Sequence, residues 1–309
     1  MHPLAQSRRL FLLGLSLALL GDASLGYALP PQPASPQADN AQDLATRRAF
    51  THAVEAQRAA IDRENSTTSG VAWAGDYYFG DGTGQNVSVS FAPLSGVAAT
   101  WQGCFGTYTA NKGMVIPQAD GSLLLKYEKP NDERAFGFAD HVVPVAWGDR
   151  MYMISENELP AFASAVNLGD EPRKSAQGLF LMRTGDEQRK AYGIPILPAA
   201  QQSLIREVPL EVGVVSVSRL HDDDADKLEC RYRLELDHGA NDGLVVGMNL
   251  LAIGTFAGNR ITLEQSTPTR AVGTIRLFGD ECIKRDRRPS TRTRFTSGAY
   301  PAVSSNDKP

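Results

Sequence analysis

The sequence predicts a mainly β protein. It reads as an antiparallel β-meander, barrel or sandwich, with one inserted helix, followed by a smaller β-barrel module and preceded by an N-terminal helix. Three observations carry this. Val87, Val89 and Phe91 alternate with Ser88 and Ser90, and Val97, Ala99 and Trp101 alternate with Ala98, Thr100 and Gln102. A period of two sends the two sets to opposite faces of a sheet. Short runs of the same kind recur at close intervals with Asp-Gly and Gly-Asp turns between them, the pattern of sandwiches and barrels. Leu228, Cys230, Tyr232, Leu234 and Leu236 alternate with charged residues in the cleanest strand of the chain.

Composition bounds the rest. The chain has 309 residues, 42% hydrophobic and 21% charged, enough for two domains with cores of their own. A net charge of −4 and a pI near 5.8 argue against nucleic acid as the partner of the whole chain.

Residues 1–28 read as a signal peptide: a basic start, MHPLAQSRR, an apolar core, LFLLGLSLALL, and small residues up to Ala28. The apolar run is short for a bilayer span, so the expected localisation is export, periplasmic or secreted. Ser7-Arg8-Arg9-Leu10-Phe11-Leu12 also resembles the twin-arginine export motif, while the leucine-rich core favours the ordinary secretory route. No cysteine follows the apolar core, which excludes the lipoprotein route.

Residues 29–40 form a Pro/Gln-rich linker. Residues 41–65 predict a helix whose thin stripe, Phe50, Val54, Gln57 and Ile61, implies a loose seat. The β-meander domain is expected over 71–207. Gly80-Asp81-Gly82-Thr83-Gly84 invites a phosphate-loop reading, but a strand follows where that loop needs a helix. It is a hairpin. Further strands are expected at Gly113–Gln118, Leu123–Glu128, Phe136–Ala146 and Arg150–Ile154. A helix over Glu156–Asn167 would be capped by Ser155 with Glu158 three positions on. The apolar run Gly178–Arg183 follows, and Ala199–Arg206 could turn once more as a short helix.

The smaller β-barrel is expected over 209–283, with strands at Val212–Arg219, Leu228–Asp237, Leu250–Gly254, Arg260–Glu264 and Ala271–Phe278. Residues 284–309 carry seven basic against two acidic residues and predict a disordered basic tail. Two readings stand for it: a solvated tail, or an arm for anionic surfaces.

Chemistry is sparse. Asp222, Asp224 and Asp226 open with calcium-loop spacing, but Lys227 and Arg233 stand where that loop needs glycine and glutamate. The five histidines form no zinc spacing. No nucleophile motif is present, and Cys104, in WQGCFG, has the apolar setting of an inert thiol. The sequence thus assigns no catalytic residue, metal ligand or cofactor. Three cysteines allow at most one internal bridge. Cys230 and Cys282, both in the C-terminal region, are the preferred pair, and three free thiols are the alternative.

Aromatic residues crowd the meander. Trp73, Tyr77, Phe91 and Trp101 are the candidate lining of an apolar pocket if the sheet closes around a hollow, and part of an ordinary core if it does not.

Two local resemblances follow from quoted residues. Lipocalin-type barrels begin with Gly-x-Trp, and Gly70-Val71-Ala72-Trp73 is similar with one residue added, so the first module resembles exported calycin-like meanders. The segment GANDGLVVGMNL resembles a Gly-x-x-Asp-Gly-Leu-x-x-Gly-Met turn of small β-barrel modules in bacterial envelope and flagellar-assembly proteins. That resemblance covers about ten positions and implies a structural or protein-contact role. The combined expectation is a non-enzymatic envelope protein binding a partner protein or a small apolar ligand. The alternative is a periplasmic hydrolase whose catalytic groups meet only in space.

Overall fold

The computed structural model describes residues 41–68, 70–80, 84–104, 106–130, 138–172, 179–220, 229–279, 282 and 288–300. The signal and linker readings, the calcium-like loop at 222–226 and the tip of the first hairpin lie outside them. From residue 45 onward the described residues form one compact unit that contains both barrels. Among them, no helix is long and apolar enough to cross a membrane.

Helix α1 spans Ala41–Thr67. Eight strands follow: β1 Gly75–Phe79, β2 Asn86–Ala92, β3 Gly96–Gly103, β4 Gly106–Pro117, β5 Leu123–Tyr127, β6 His141–Trp147, β7 Arg150–Ser155 and β8 Leu181–Arg183. Each pairs antiparallel with its neighbour in sequence, and β8 returns to β1 through Tyr77↔Arg183 and Tyr78↔Met182, closing a barrel. Closure removes both sheet edges. Strand β4 starts well before the expected Gly113, because Gly106–Asn111 is polar and shows no apolar alternation to read.

The register of β2 and β3 sets the two faces. Val87↔Trp101, Val89↔Ala99 and Phe91↔Val97 point inward, while Ser88↔Thr100, Ser90↔Ala98 and Ala92↔Gly96 point outward. The outward set is small, so α1 can approach. Val54 and Ile61 are fully buried there with Ala92 and Ala98. The seat is not loose, as the thin apolar stripe implied, because a polar clamp holds it. Gln57 Nε2 donates to the carbonyls of Ser95 (2.9 Å), Val97 (3.1 Å) and Gly113 (2.7 Å). Arg58 reaches Ser90 Oγ at 2.6 Å and Thr100 Oγ1 at 3.3 Å. Glu64 accepts the N–H groups of Leu94 (2.9 Å) and Ser95 (2.6 Å) at the β2–β3 turn. That turn needs Gly96: its φ is +81°, and a Cβ there would lie 2.1 Å from Gly113 O.

Helix α2, Leu159–Asn167, covers the outer face of β6–β8. Its expected capping box does not form. Ser155 makes no side-chain cap, and Glu158 instead accepts the N–H of Leu179 at 2.9 Å. Phe162 packs edge-on against Tyr152, Phe180 and Trp147. This aromatic cluster lies outside the barrel, under the helix. The other side of α2 meets the second barrel: Asn249 N–H donates to Ser164 Oγ at 3.0 Å, and Arg260 grips Asp170 at 2.6 and 3.1 Å.

The second barrel contains β9 Glu211–Leu220, β10 Glu229–Leu236, β11 Asn249–Ile253, β12 Arg260–Ser266, β13 Ala271–Phe278 and β14 Arg294–Thr296, in the order β10-β13-β12-β11-β14-β9. The segment at 239–248 makes the turn from β10 to β11. Gly243 sits at φ +78°, and Leu244 and Met248 are fully buried in the barrel core. Cys230 of β10 is joined to Cys282 by a disulfide. Cys104 lies at the β3–β4 turn and is exposed.

The C-terminal expectation needs correction. A disordered tail from 284 and a barrel ending at 283 do not describe 288–300. Strand β14 sits between β11 and β9, with Ala252↔Phe295 and Phe295↔Val212 in register. Phe295 is fully buried. Basic composition concealed a three-residue strand with one inward aromatic.

Two outcomes are expected. The C230A/C282A variant loses stability on the order of 4 kcal/mol in denaturant unfolding, since the crosslink closes a 52-residue separation. Burial raises the Glu64 carboxyl, but its bonds from Leu94 and Ser95 outweigh this and hold it below its ordinary value. Its contribution is therefore present above the unfolded-state pKa and lost as pH falls through the lower folded value. Unfolding titrations should show a shallower acid-side loss in E64Q.

Candidate ligand cavity in the first barrel

Eight strands enclose a space that side chains fill or that holds one small ligand. Here it is partly empty. A cavity of about 370 Å³ lies among the inward residues of β2, β3, β5, β6, β7 and β8, within the range of small-molecule sites. Val87, Val89 and Phe91 form one wall, with Trp101 beside them. Leu125 and Tyr127 of β5, Met153 of β7 and Leu181 of β8 form the facing wall. The connections add Phe138 before β6, Glu158 after β7 and Leu179 before β8.

Of the four residues the sequence nominated, two line this space and two do not. Phe91 and Trp101 face it. Tyr77 is 1% exposed and packs edge-on against Phe91 at 5.5 Å, filling the adjoining core. Its hydroxyl donates to the carbonyl of Trp73 at 3.0 Å and contacts Arg183 at 3.1 Å. Burial pushes the Tyr77 phenol up to about 12, with Arg183 acting against the rise. Trp73 is half-buried against the same core. The cavity and the packed core are therefore successive parts of one interior.

Of the other lining residues, Tyr127, Phe138, Leu179 and Glu158 were not placed at a pocket by the sequence. Tyr127 belongs to the alternation Leu123, Leu125, Tyr127 and could have been placed with the inward set. Its ring lies 5.9 Å from Phe138. Phe138, Leu179 and Glu158 sit on connections, where no periodicity says which way a side chain points.

The walls are apolar apart from a few groups, and Glu158 is the ionisable one that matters most. Burial raises its carboxyl above the usual range, and the hydrogen bond from Leu179 N–H only partly offsets this. The Tyr127 phenol is also raised, first by burial and then by Asp140. A carboxyl beside an apolar space can orient an amphiphile by its polar end. His141 lies apart: it is exposed at the start of β6, with Nδ1 4.0 Å from Glu156 Oε2. Among the described residues, no cluster of His, Cys, Asp or Glu has the arrangement of a metal site.

A raised carboxyl has a signed consequence. The folded state holds the Glu158 proton at pH values where the unfolded state has released it, so stability falls as pH rises from the unfolded pKa through the folded one. Above that window E158Q should be more stable than the parent in urea unfolding, and below it the two should converge. A constant difference across pH would disprove the assignment.

No family model matches this chain, and no curated protein or solved structure does either.

Proposed function

We propose that this is an exported envelope protein whose first barrel binds a small, largely apolar molecule with one polar end. The observation that carries the reading is the cavity of about 370 Å³ inside a closed barrel, walled by Phe91, Trp101, Tyr127, Phe138 and aliphatic side chains. Desolvating an apolar ligand there is favourable by roughly 25 cal/mol per Å² buried. Glu158 supplies the orienting group. Where it is ionised, a cationic or hydrogen-bond-donating head group is favoured and a second carboxylate is disfavoured. Export is read from the segment at 1–28, whose basic start, apolar core and small-residue end fit a secretory signal.

The test uses a neutral lipophilic dye, N-phenyl-naphthylamine, with its fluorescence followed on titration. One saturable site is expected. Val142→Trp, which projects bulk into the cavity, should abolish uptake. Glu158→Gln should retain it, which separates a blocked cavity from a misfolded chain. A long-chain alkylamine should displace the dye better than the fatty acid of equal length at neutral pH, and E158Q should erase the difference. A folded parent that takes up no dye would sink the reading. Turnover of ester, peptide or glycan substrates would favour the hydrolase alternative.

A further inference from the structure

The second barrel differs from the first in where its open space lies. Its interior is filled, but a groove of about 760 Å³ runs over the outer face of β10, β13, β12 and β11. The register aligns its side chains in rows. One row is Arg233, Thr274, Thr262 and Asn249, from β10 across β13 and β12 to β11. The next is Leu220, Arg231 and Arg276, from β9 across β10 to β13.

Arg231 and Arg276 thus stand directly opposite one another, with Arg233 on the diagonal. Strands lie about 4.8 Å apart, and like charges directly opposite on a ladder are destabilising. Arg276 Nε is 3.9 Å from Glu229 Oε1, and Arg233 donates to the neutral amide of Gln265 at 3.1 Å. Arg260, also in the groove, is held by Asp170 at its edge. A crowded row of guanidiniums beside hydroxyls and an amide is suited to a ligand that brings anionic oxygens.

We propose that this groove binds an anionic saccharide chain. Its guanidiniums would take the carboxylate or sulfate oxygens. Thr274 and Thr262, whose hydroxyl donates to Asn249 Oδ1 at 2.7 Å, provide the kind of donors and acceptors that sugar hydroxyls need. Phe278 is 59% exposed at one end of the groove and offers a flat apolar face to a sugar ring. Glu264 also lines the groove. A carboxylate there accepts hydrogen bonds from hydroxyl groups, which a saccharide carries on each ring and a DNA strand does not, so the site favours a saccharide over DNA.

The experiment measures binding of the full chain by calorimetry at low and physiological salt. The probes are heparin for sulfated chains, alginate for carboxylated chains, dextran as the neutral saccharide and an oligothymidylate as the nucleic acid. Binding to heparin, alginate or both, weakening with salt, and absence of binding to dextran are expected. Which of the two binds identifies the anionic group. R231Q/R276Q should lower the affinity at least about tenfold, as loss of two charge-assisted contacts requires. R285Q/R287Q, which removes charge from the basic C-terminal segment that the sequence offers as another anion contact, should leave it unchanged. R233Q, singly substituted, keeps the test open should the double variant unfold, and thermal melts of each variant report folding. The proposal is overturned if neither polyanion binds, if oligothymidylate binds as tightly as the saccharides, or if R285Q/R287Q removes binding while the groove variants keep it. Dye uptake by the first barrel is read separately, so failure of one site does not mimic failure of the other.

Discussion

The two faces of β2 and β3 constrain the rest of the first barrel. Inward, Val87, Val89, Phe91, Val97 and Trp101 must build an apolar interior. Outward, Ser88, Ser90, Ala92, Ala98 and Thr100 must be small enough for a helix to lie against them. A register slip by one residue would exchange the sets. It would put serines in the cavity wall and Phe91 and Trp101 against α1. The helix enforces the register as well as covering the face. Gln57 binds carbonyls of the β2–β3 turn and of β4, Asn65 binds Phe91 O, and Glu64 caps the turn itself. These bonds satisfy backbone groups that a bare turn leaves to water.

Much of this fold was legible because barrels are written in a period of two, and the chain keeps that period wherever one face is dry. Strands β2, β3, β10 and β13 could be placed from alternation alone. The losses have physical causes. Strand β14 is three residues long, and Phe295 sits between Arg294 and Thr296, so the surrounding basic residues outweighed it. The seat of α1 was underestimated because a hydropathy stripe counts apolar residues, while Gln57, Arg58 and Glu64 carry much of the attachment. The capping box at Ser155 met a competing demand: the Glu158 carboxylate was already committed to Leu179.

The site was legible only in part. Alternation says that Phe91 and Trp101 share a face with Tyr77, but not where along the barrel the side chains stop filling it. That depends on ring volumes meeting across strands distant in sequence. Tyr77, locked by Trp73 O and Arg183, consumes the space on its side. Past Phe91, the facing residues leave a void. Glu158 reads in sequence as an ordinary acid at a helix start, and only the fold brings it to an apolar wall.

The same strand logic explains why the two barrels place their open spaces differently. In the second barrel Tyr232, Leu234, Leu236, Ile275 and Leu277 meet around Met248 and Phe295, and a disulfide ties Cys230 to residue 282. A six-stranded barrel has less interior than an eight-stranded one, and these side chains occupy it. Ligand chemistry, if this module has any, must then lie on its outer face. There the alternation that buries Tyr232 and Ile275 presents Arg231, Arg233 and Arg276 together. One period of two, applied to barrels of different width, thus yields an apolar hollow in one module and a charged exterior in the other.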